Sequence, residues 1–296
     1  MLVYVRGAGD IATGIALRLH RCGMQVVMAD LAVPTSIRRT VCFSEAIRLG
    51  ETTVEDVRGV LCADAAAVRA AVAAGDVAVV VDAEARMAPE LAPDVLVDAI
   101  LAKKNLGTTR GMAPVVIGVG PGFTAPVDVD AAVETMRGHY LGRVYYKGSP
   151  IANTAIPGLI GGYAGERVLR APADGVFEPR VCIGDEVHAG TVCGEVAGKA
   201  MVATIDGVVR GLLQAGVTVR RGMKSGDVDP RCEAAFIRTV SDKASAVGGG
   251  VLEAILHLTG ALAGVGSARE WQAVPKVVAT AAAASGLDLS GIEEFA

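Results

Sequence analysis

The sequence predicts an α/β protein, a parallel-sheet domain followed by a small all-β domain, on three observations. Residues 2–30 run strand, glycine turn, helix, strand, acid. Valine-rich runs then recur at 77–81, 95–97 and 115–119, the pattern of strands covered on both faces. Between 171 and 228 the chain repeats itself at an offset of 32 residues.

The opening unit sets the class as Rossmann-like. Leu2-Val3-Tyr4-Val5 reads as a buried strand, broken by Arg6-Gly7-Ala8-Gly9-Asp10. Apolar residues at helical spacing follow (Ile11, Ile15, Leu19), and Gln25–Asp30 is a second strand. Gly7 and Gly9 let the backbone turn sharply and approach a ligand, while the helix start at Asp10 attracts phosphate. Ala12 stands where a dinucleotide fingerprint has its third glycine, and Asp30 lies roughly 20 residues on, where a ribose-binding acid belongs. Two readings stay open for this turn: a nucleotide-like ligand, or helix–strand packing alone.

A helix at 43–49, a strand at 60–62 and an alanine-rich helix at 65–74 continue the alternation. Residues 128–163 are mixed, with a helix expected at 129–136 and a strand at 143–146. The expected organisation is a Rossmann-like domain at 1–127, a connecting segment at 128–165, the β repeat at 166–232, and a helical segment with a tail at 233–296. A net charge of −4 gives no electrostatic case for nucleic acid or an anionic membrane. Six scattered cysteines suggest neither a disulfide framework nor a zinc site, and no metal site is expected. The start in a strand argues against a signal peptide, and the apolar stretch 251–265 is too short to span a bilayer, so a cytoplasmic protein is expected.

Ligands of open α/β sheets lie outside the carboxyl ends of the strands. Arg38 and Arg39 follow the Asp30 strand there, and adjacent arginines grip phosphate bidentately; a solvated turn is the alternative. Asp98 ends another strand and leads to Lys103, Lys104 and Asn105. The run 115–119 leads to Gly120, Gly122, Phe123 and Thr124, with Phe123 placed to stack on a flat ring. Arg137 lies near His139, the candidate general acid/base, although a histidine beside a helix end is also a cap or surface residue. Lys243, followed by Gly248-Gly249-Gly250, marks the start of a last helix, where the glycines serve a close backbone approach or a flexible joint. There is no Gly-x-Ser-x-Gly, no Ser/His/Asp order and no reactive-cysteine signature, so a hydrolase is not expected.

In the repeat, Ala171, Asp174, Gly175, Val176, Gly184 and Val187 fall on Ala203, Asp206, Gly207, Val208, Gly216 and Val219. Two such halves build a barrel-sandwich architecture that resembles biotinyl and lipoyl carrier domains. The junction contains Lys199, but without the flanking residues of a modified lysine; it reads as an ordinary turn residue.

Longer strings carry a second resemblance. They are Val5–Gly14, Ile37–Thr40, Lys104–Thr109, Gly120–Thr124, Glu134-Thr135 with Arg137-Gly138-His139, and Leu141–Val144. Further along come Arg167–Pro172, Gly222–Lys224 with Gly226-Asp227, and Ser241–Lys243 with Gly248–Glu253. Over roughly residues 2–258 the chain resembles the YqeB-like accessory proteins of selenium-dependent molybdenum hydroxylase systems. That resemblance implies maturation of a molybdenum hydroxylase, with the apoenzyme or other maturation factors as partners and a molybdenum-pterin dinucleotide as the nucleotide-like ligand. An NAD(P)-dependent oxidoreductase and a carrier modified at Lys199 are the alternative readings. The tail from Ala261, with Pro275 and Ala281–Ala284, lies outside the resemblance.

Overall fold

In the computed structural model, which describes residues 1–154 and 158–263, the opening strand is β1 (Leu2–Arg6), and Val3, Tyr4 and Val5 are fully buried. After it come α1 (Asp10–Arg21), β2 (Gln25–Asp30), α2 (Glu45–Leu49), β3 (Glu51–Val54) and β4 (Val57–Leu61). Next are α3 (Ala65–Ala73), β5 (Val77–Val81), α4 (Ala88–Leu91), β6 (Val95–Asp98), β7 (Val115–Val119), β8 (Ala131–Val133) and β9 (Val144–Tyr145). These nine strands form one sheet in the order β3-β4-β5-β2-β1-β6-β7-β8-β9. The Asp64 carboxylate caps α3 by accepting the Ala67 N–H at 2.8 Å.

The second half contributes β10 (Val168–Arg170), β11 (Gly175–Pro179), β12 (Glu186–Val187), β13 (Val192–Val196) and β14 (Lys199–Val202). It continues with β15 (Gly207–Leu212), β16 (Thr218–Val219), β17 (Lys224–Asp229), α5 (Ala235–Arg238) and α6 (Asp242–Thr259). The strands make two antiparallel sheets, β10-β17-β15-β12 and β14-β13-β11-β16, around Phe177, Val209, Leu212 and Leu213. The 32-residue offset carries β11, β12 and β13 onto β15, β16 and β17, and each sheet takes strands from both halves of the repeat.

The expected fold class is corrected on both counts. The large sheet is mixed rather than parallel: β3 pairs antiparallel with β4, and β9 antiparallel with β8. Two residues join β3 to β4, too few for the crossover that parallel strands require, and Glu55 makes the turn at φ +56°. The β6–β7 and β7–β8 crossovers contain no α-helix, so the strand–helix alternation of a Rossmann-like domain lapses there. In the second half, two antiparallel sheets stand in place of a biotinyl-like barrel. Strand β10, from before the repeat, pairs with β17, and the junction itself becomes β14. Lys199 opens that strand opposite Val196, one step past the Ala197-Gly198 turn.

Two local expectations also change. Residues 131–133 form a strand, not part of a helix, because the Asp130 backbone N–H donates to the Val116 carbonyl and its carboxylate accepts the Val116 N–H, both at 2.8 Å. This pairing with β7 outweighs local helix preference. Gly248-Gly249-Gly250 lie inside α6, which begins at Asp242. They serve close packing: Gly248 lies on the backbone of Gly14 in α1, and Gly250 on that of Gly142.

Helices α1 and α6 cover one face of the large sheet, where Ile15, Leu17, Leu19, Val247, Val251 and Ile255 share a core with Val3, Val5 and Val26. Each fully buried aliphatic side chain contributes about 1.5–3 kcal/mol. Val68 and Leu91 pack with Tyr4, Val27 and Leu96 on the other face. Met1–Thr259 is one compact unit; of the second, Gly260–Ala296, residues 260–263 are described, and Pro275 and Ala281–Ala284 lie outside the described residues.

Candidate functional site

The glycine turn after β1 is built against backbone. Gly7 has φ +104°, and a Cβ there would stand 2.8 Å from the Ala99 carbonyl oxygen. At Gly9 a Cβ would stand 3.1 Å from the Ser36 hydroxyl. The Asp30 carboxylate holds the turn, accepting the Ala8 N–H at 2.9 Å and the Leu31 N–H at 2.8 Å, while burial raises its pKa. Helix α1 starts immediately after, with no side-chain cap at Gly9.

Asp10 and Ile11, at that helix start, line a cleft of about 800 Å³. One wall comes from the large-sheet side: Arg38 after β2, Lys103 after β6, Arg137 after β8, and Ser241 and Lys243 at the start of α6. The other comes from the β10-β17-β15-β12 sheet: Arg167, Arg170, Arg210, Lys224 and Asp227. Eight basic side chains thus face two acidic ones, in a chain whose net charge is −4. The positive ends of two helix dipoles add to this field.

Most of the arginines are held by the protein. One Arg38 amino group bonds both Asp10 oxygens, at 3.1 and 3.0 Å, and the other bonds the Phe236 and Thr239 carbonyls at 2.8 and 3.0 Å. Arg137 forks onto Asp242 at 2.5 and 2.9 Å. Asp227, 1 % exposed, lies between Arg167 and Arg210, and Arg210 also reaches Asp229 at 3.1 Å. The Nε groups of Arg38 and Arg167 are buried and have no hydrogen-bond partner among the described residues. Glu134, fully buried, accepts the N–H groups of Thr135 and Met136 at 2.7 Å each and of Ile151 at 2.8 Å, tying together two segments that line the cleft.

The lysines differ. Among the described residues, Lys103, Lys224 and Lys243 have no side-chain hydrogen bond or ion pair. Loss of bulk water lowers the pKa of all three. For Lys103 and Lys224 the surrounding protein has this effect even though their side chains are exposed; at Lys224, Asp227 opposes the shift, and Arg167 and Arg210 reinforce it. Lys243 is brought down to about 8, first by burial and then by repulsion from Lys103 and Arg137. Lys103 sits at φ +66° and Leu101 at φ +60°, so a strained backbone presents this ammonium.

Of the residues singled out in the sequence, Asp10, Arg38, Lys103, Arg137 and Lys243 meet in the cleft. The others do not line it. Arg39 bonds the Leu212 carbonyl at 2.8 Å and Glu45 at 3.4 Å. Asp98, 2 % exposed, pairs with Arg6 at 3.2 Å and accepts the Thr108 hydroxyl at 2.6 Å. Asn105 closes its own turn on Thr108, and Lys104 packs its backbone against Gly122. Gly120 abuts Thr135. Phe123 is a core residue against Gly118, not a platform for a ring. Thr124 bonds Ser149 at 2.8 Å. His139 is exposed beside Tyr140, with ring centroids 5.0 Å apart. Sequence reasoning missed Arg167, Arg170, Arg210, Lys224 and Asp227 as site residues. Arg210, a charge inside the otherwise apolar, glycine-containing strand β15, is the signal that marks this wall.

No family model matches the chain. Over 257 residues, 87 % of the chain, it is 49 % identical to an uncharacterized protein of Escherichia coli strain K12, YqeB. The chain is similar to YqeB. It spans about half of that protein's length, 48 %. Among solved structures, a succinylglutamate desuccinylase/aspartoacylase from Rhodobacter sphaeroides is 28 % identical over 21 % of this chain and 22 % of its own, at a TM-score of 0.19. An aspartoacylase family protein from Mesorhizobium loti is 14 % identical over 77 % of this chain and 84 % of its own, at a TM-score of 0.24. The expected role in maturing a molybdenum hydroxylase is corrected accordingly. YqeB is itself uncharacterized, and neither of these two solved structures is named as a molybdenum-enzyme accessory protein. The alternatives of an NAD(P)-dependent oxidoreductase and a Lys199 carrier gain no support here: Asp30 holds the glycine turn and does not line the cleft, and Lys199 lies in β14, away from it. Among the described residues no helix is long and apolar enough to cross a membrane, and no group of acids, cysteines and histidines could hold a metal ion.

Proposed function

We propose that the cleft binds a small, multiply charged anion through phosphate or carboxylate groups. The observation that carries this reading is the three lysines without an acceptor among the described residues, Lys103, Lys224 and Lys243, lining a space already framed by arginines. Ammonium groups brought together in one cleft repel one another, and a bound anion relieves that repulsion. Arg38, Arg137, Arg167 and Arg210 have a different role: committed to Asp10, Asp227 and Asp242, they hold the walls in position.

Isothermal titration of the full chain with pyrophosphate and with citrate tests the reading. Saturable binding that weakens as salt is raised is expected, with about a tenfold loss in Lys243→Met, the size of one charged hydrogen bond. Absence of saturable binding at low ionic strength, or unchanged affinity in Lys243→Met and Lys224→Met alike, overturns it.

A further inference from the structure

Of the three lysines that line the cleft, Lys243 has the setting least suited to an ammonium group. It is the second residue of α6, an 18-residue helix, so it belongs to the first turn, where the positive end of the helix dipole disfavours a cation. The carboxylate next to it in sequence, Asp242, is already forked onto Arg137. Lys243 is also half-buried, whereas Lys103 and Lys224 are exposed. Among the described residues its side chain has no hydrogen-bond or ion-pair partner, and it lines the 800 Å³ cleft directly. Burial and repulsion from Lys103, Arg137 and Lys224, against the attraction of Asp10, bring it down to about 8.

We infer that Lys243 is a nucleophile that forms a Schiff base with a carbonyl compound carrying a carboxylate or phosphate group. This rests on the anion-binding reading and goes beyond it: the exposed Lys103 and Lys224 supply counter-charge to the anionic group, and Lys243 reacts. Its unprotonated nitrogen attacks the carbonyl carbon; an N–C bond forms, and the π pair of the C=O bond moves to oxygen, which takes a proton. The hydroxyl then leaves as water, the two protons lost by the amine balance those gained by oxygen, and a C=N bond remains. No oxidant or reductant is consumed. A lysine held away from bulk water beside other cations is a recurring form of such a nucleophile. At pH 7 an amine titrating at about 8 is unprotonated about 200 times more often than a lysine at its ordinary value near 10.4. Lower basicity gives back part of that gain, and capture of the anionic group beside the amine adds proximity. The arginines of the cleft cannot take this role, because a guanidinium stays protonated.

The test incubates the full chain with glyoxylate, or with the uncharged aldehyde glycolaldehyde, in the presence of cyanoborohydride, which reduces an imine to a stable secondary amine. Peptide mass spectrometry then locates the adducts, with Lys199, exposed in β14 and outside the cleft, as the internal reference. Labelling by glyoxylate is expected to be at least about tenfold faster at Lys243 than at Lys199. That ratio should fall several-fold with glycolaldehyde, and again when pyrophosphate occupies the cleft. In Lys243→Arg, shown by circular dichroism to be folded, the fast phase of labelling in an intact-mass time course should vanish. Labelling no faster at Lys243 than at Lys103, Lys224 or Lys199 overturns the inference, and leaves the anion site standing if pyrophosphate still binds by titration. Fast labelling of Lys243 that glycolaldehyde matches and pyrophosphate does not slow refutes the anionic substrate class. Neither selective labelling nor pyrophosphate binding overturns both readings.

Discussion

Replacing Gly249 and Gly250 of α6 by alanine, one at a time, should move stability in opposite directions. Both lie in a helix interior, where alanine is favoured over glycine by about 0.8–1.0 kcal/mol. A Cβ on Gly249 meets nothing within 4 Å, so that variant should gain about 0.5–1 kcal/mol. A Cβ on Gly250 would fall on the Gly142 carbonyl oxygen, far inside contact distance, and 2.9 Å from a Val133 methyl. The obstacle is backbone rather than the flexible end of a side chain, so the helix itself must move. Overpacking of this kind costs about 1–3 kcal/mol or more, which exceeds the propensity gain. The two variants should differ by roughly 2–3 kcal/mol, or about 1 M in urea midpoint at an m-value near 2–3 kcal/mol/M. Gly248→Ala should fall between them, since its Cβ meets the Arg18 Cγ at 2.8 Å and the Gly14 carbonyl oxygen at 3.0 Å. Urea unfolding followed by circular dichroism measures all three. Gly250→Ala as stable as Gly249→Ala would refute the packing argument and return the triplet to the flexible-joint reading.

Asp227→Asn should destabilise by about 3–5 kcal/mol, because Arg167 and Arg210 stay buried with no full counter-charge. A thermal scan should show this as a fall of roughly 6–20 °C, and added sulfate should recover part of it; recovery no larger than in the unmodified chain would argue against an anion reaching those arginines. Anion affinity should fall as pH rises through about 8, as Lys243 loses its proton beside Lys103, Arg137, Lys224 and Asp10. The unliganded protein should move the other way. Its folded Lys243 sits below the ordinary lysine value, so the unfolded chain binds more protons above pH 8 and stability rises with pH there. Titrations at pH 7 and pH 9 check the first sign, and urea unfolding at the same two values the second. Glu134→Gln should cost about 2–3 kcal/mol and weaken anion binding at a distance, since an amide cannot accept all three backbone N–H groups; unchanged affinity would show that the 135–137 segment holds its place without the carboxylate.

What could be read along the chain was local. Buried strands β1, β5 and β7, helix α1 and the 32-residue recurrence are each set by neighbours in sequence: valine runs, helical spacing, glycines at turns. Five site residues were also legible, because Asp10, Arg38, Lys103, Arg137 and Lys243 all sit at the carboxyl edge of a strand or at a helix start, places where chain geometry alone exposes a side chain. Tertiary structure decided the rest, because it depends on partners remote in sequence. Residues 131–133 became a strand through pairing with Ile117–Val119, and Phe123 became core by filling the space above Gly118. Asp98 turned inward to Arg6, a residue 92 positions away. The antiparallel sheet brought Lys224, Arg167 and Arg210 opposite Lys243, so only the folded chain makes a two-walled cationic cleft from charges scattered over more than two hundred residues. A sequence records which charges exist; which of them find a partner, and which are left for a ligand, is a property of the packed structure.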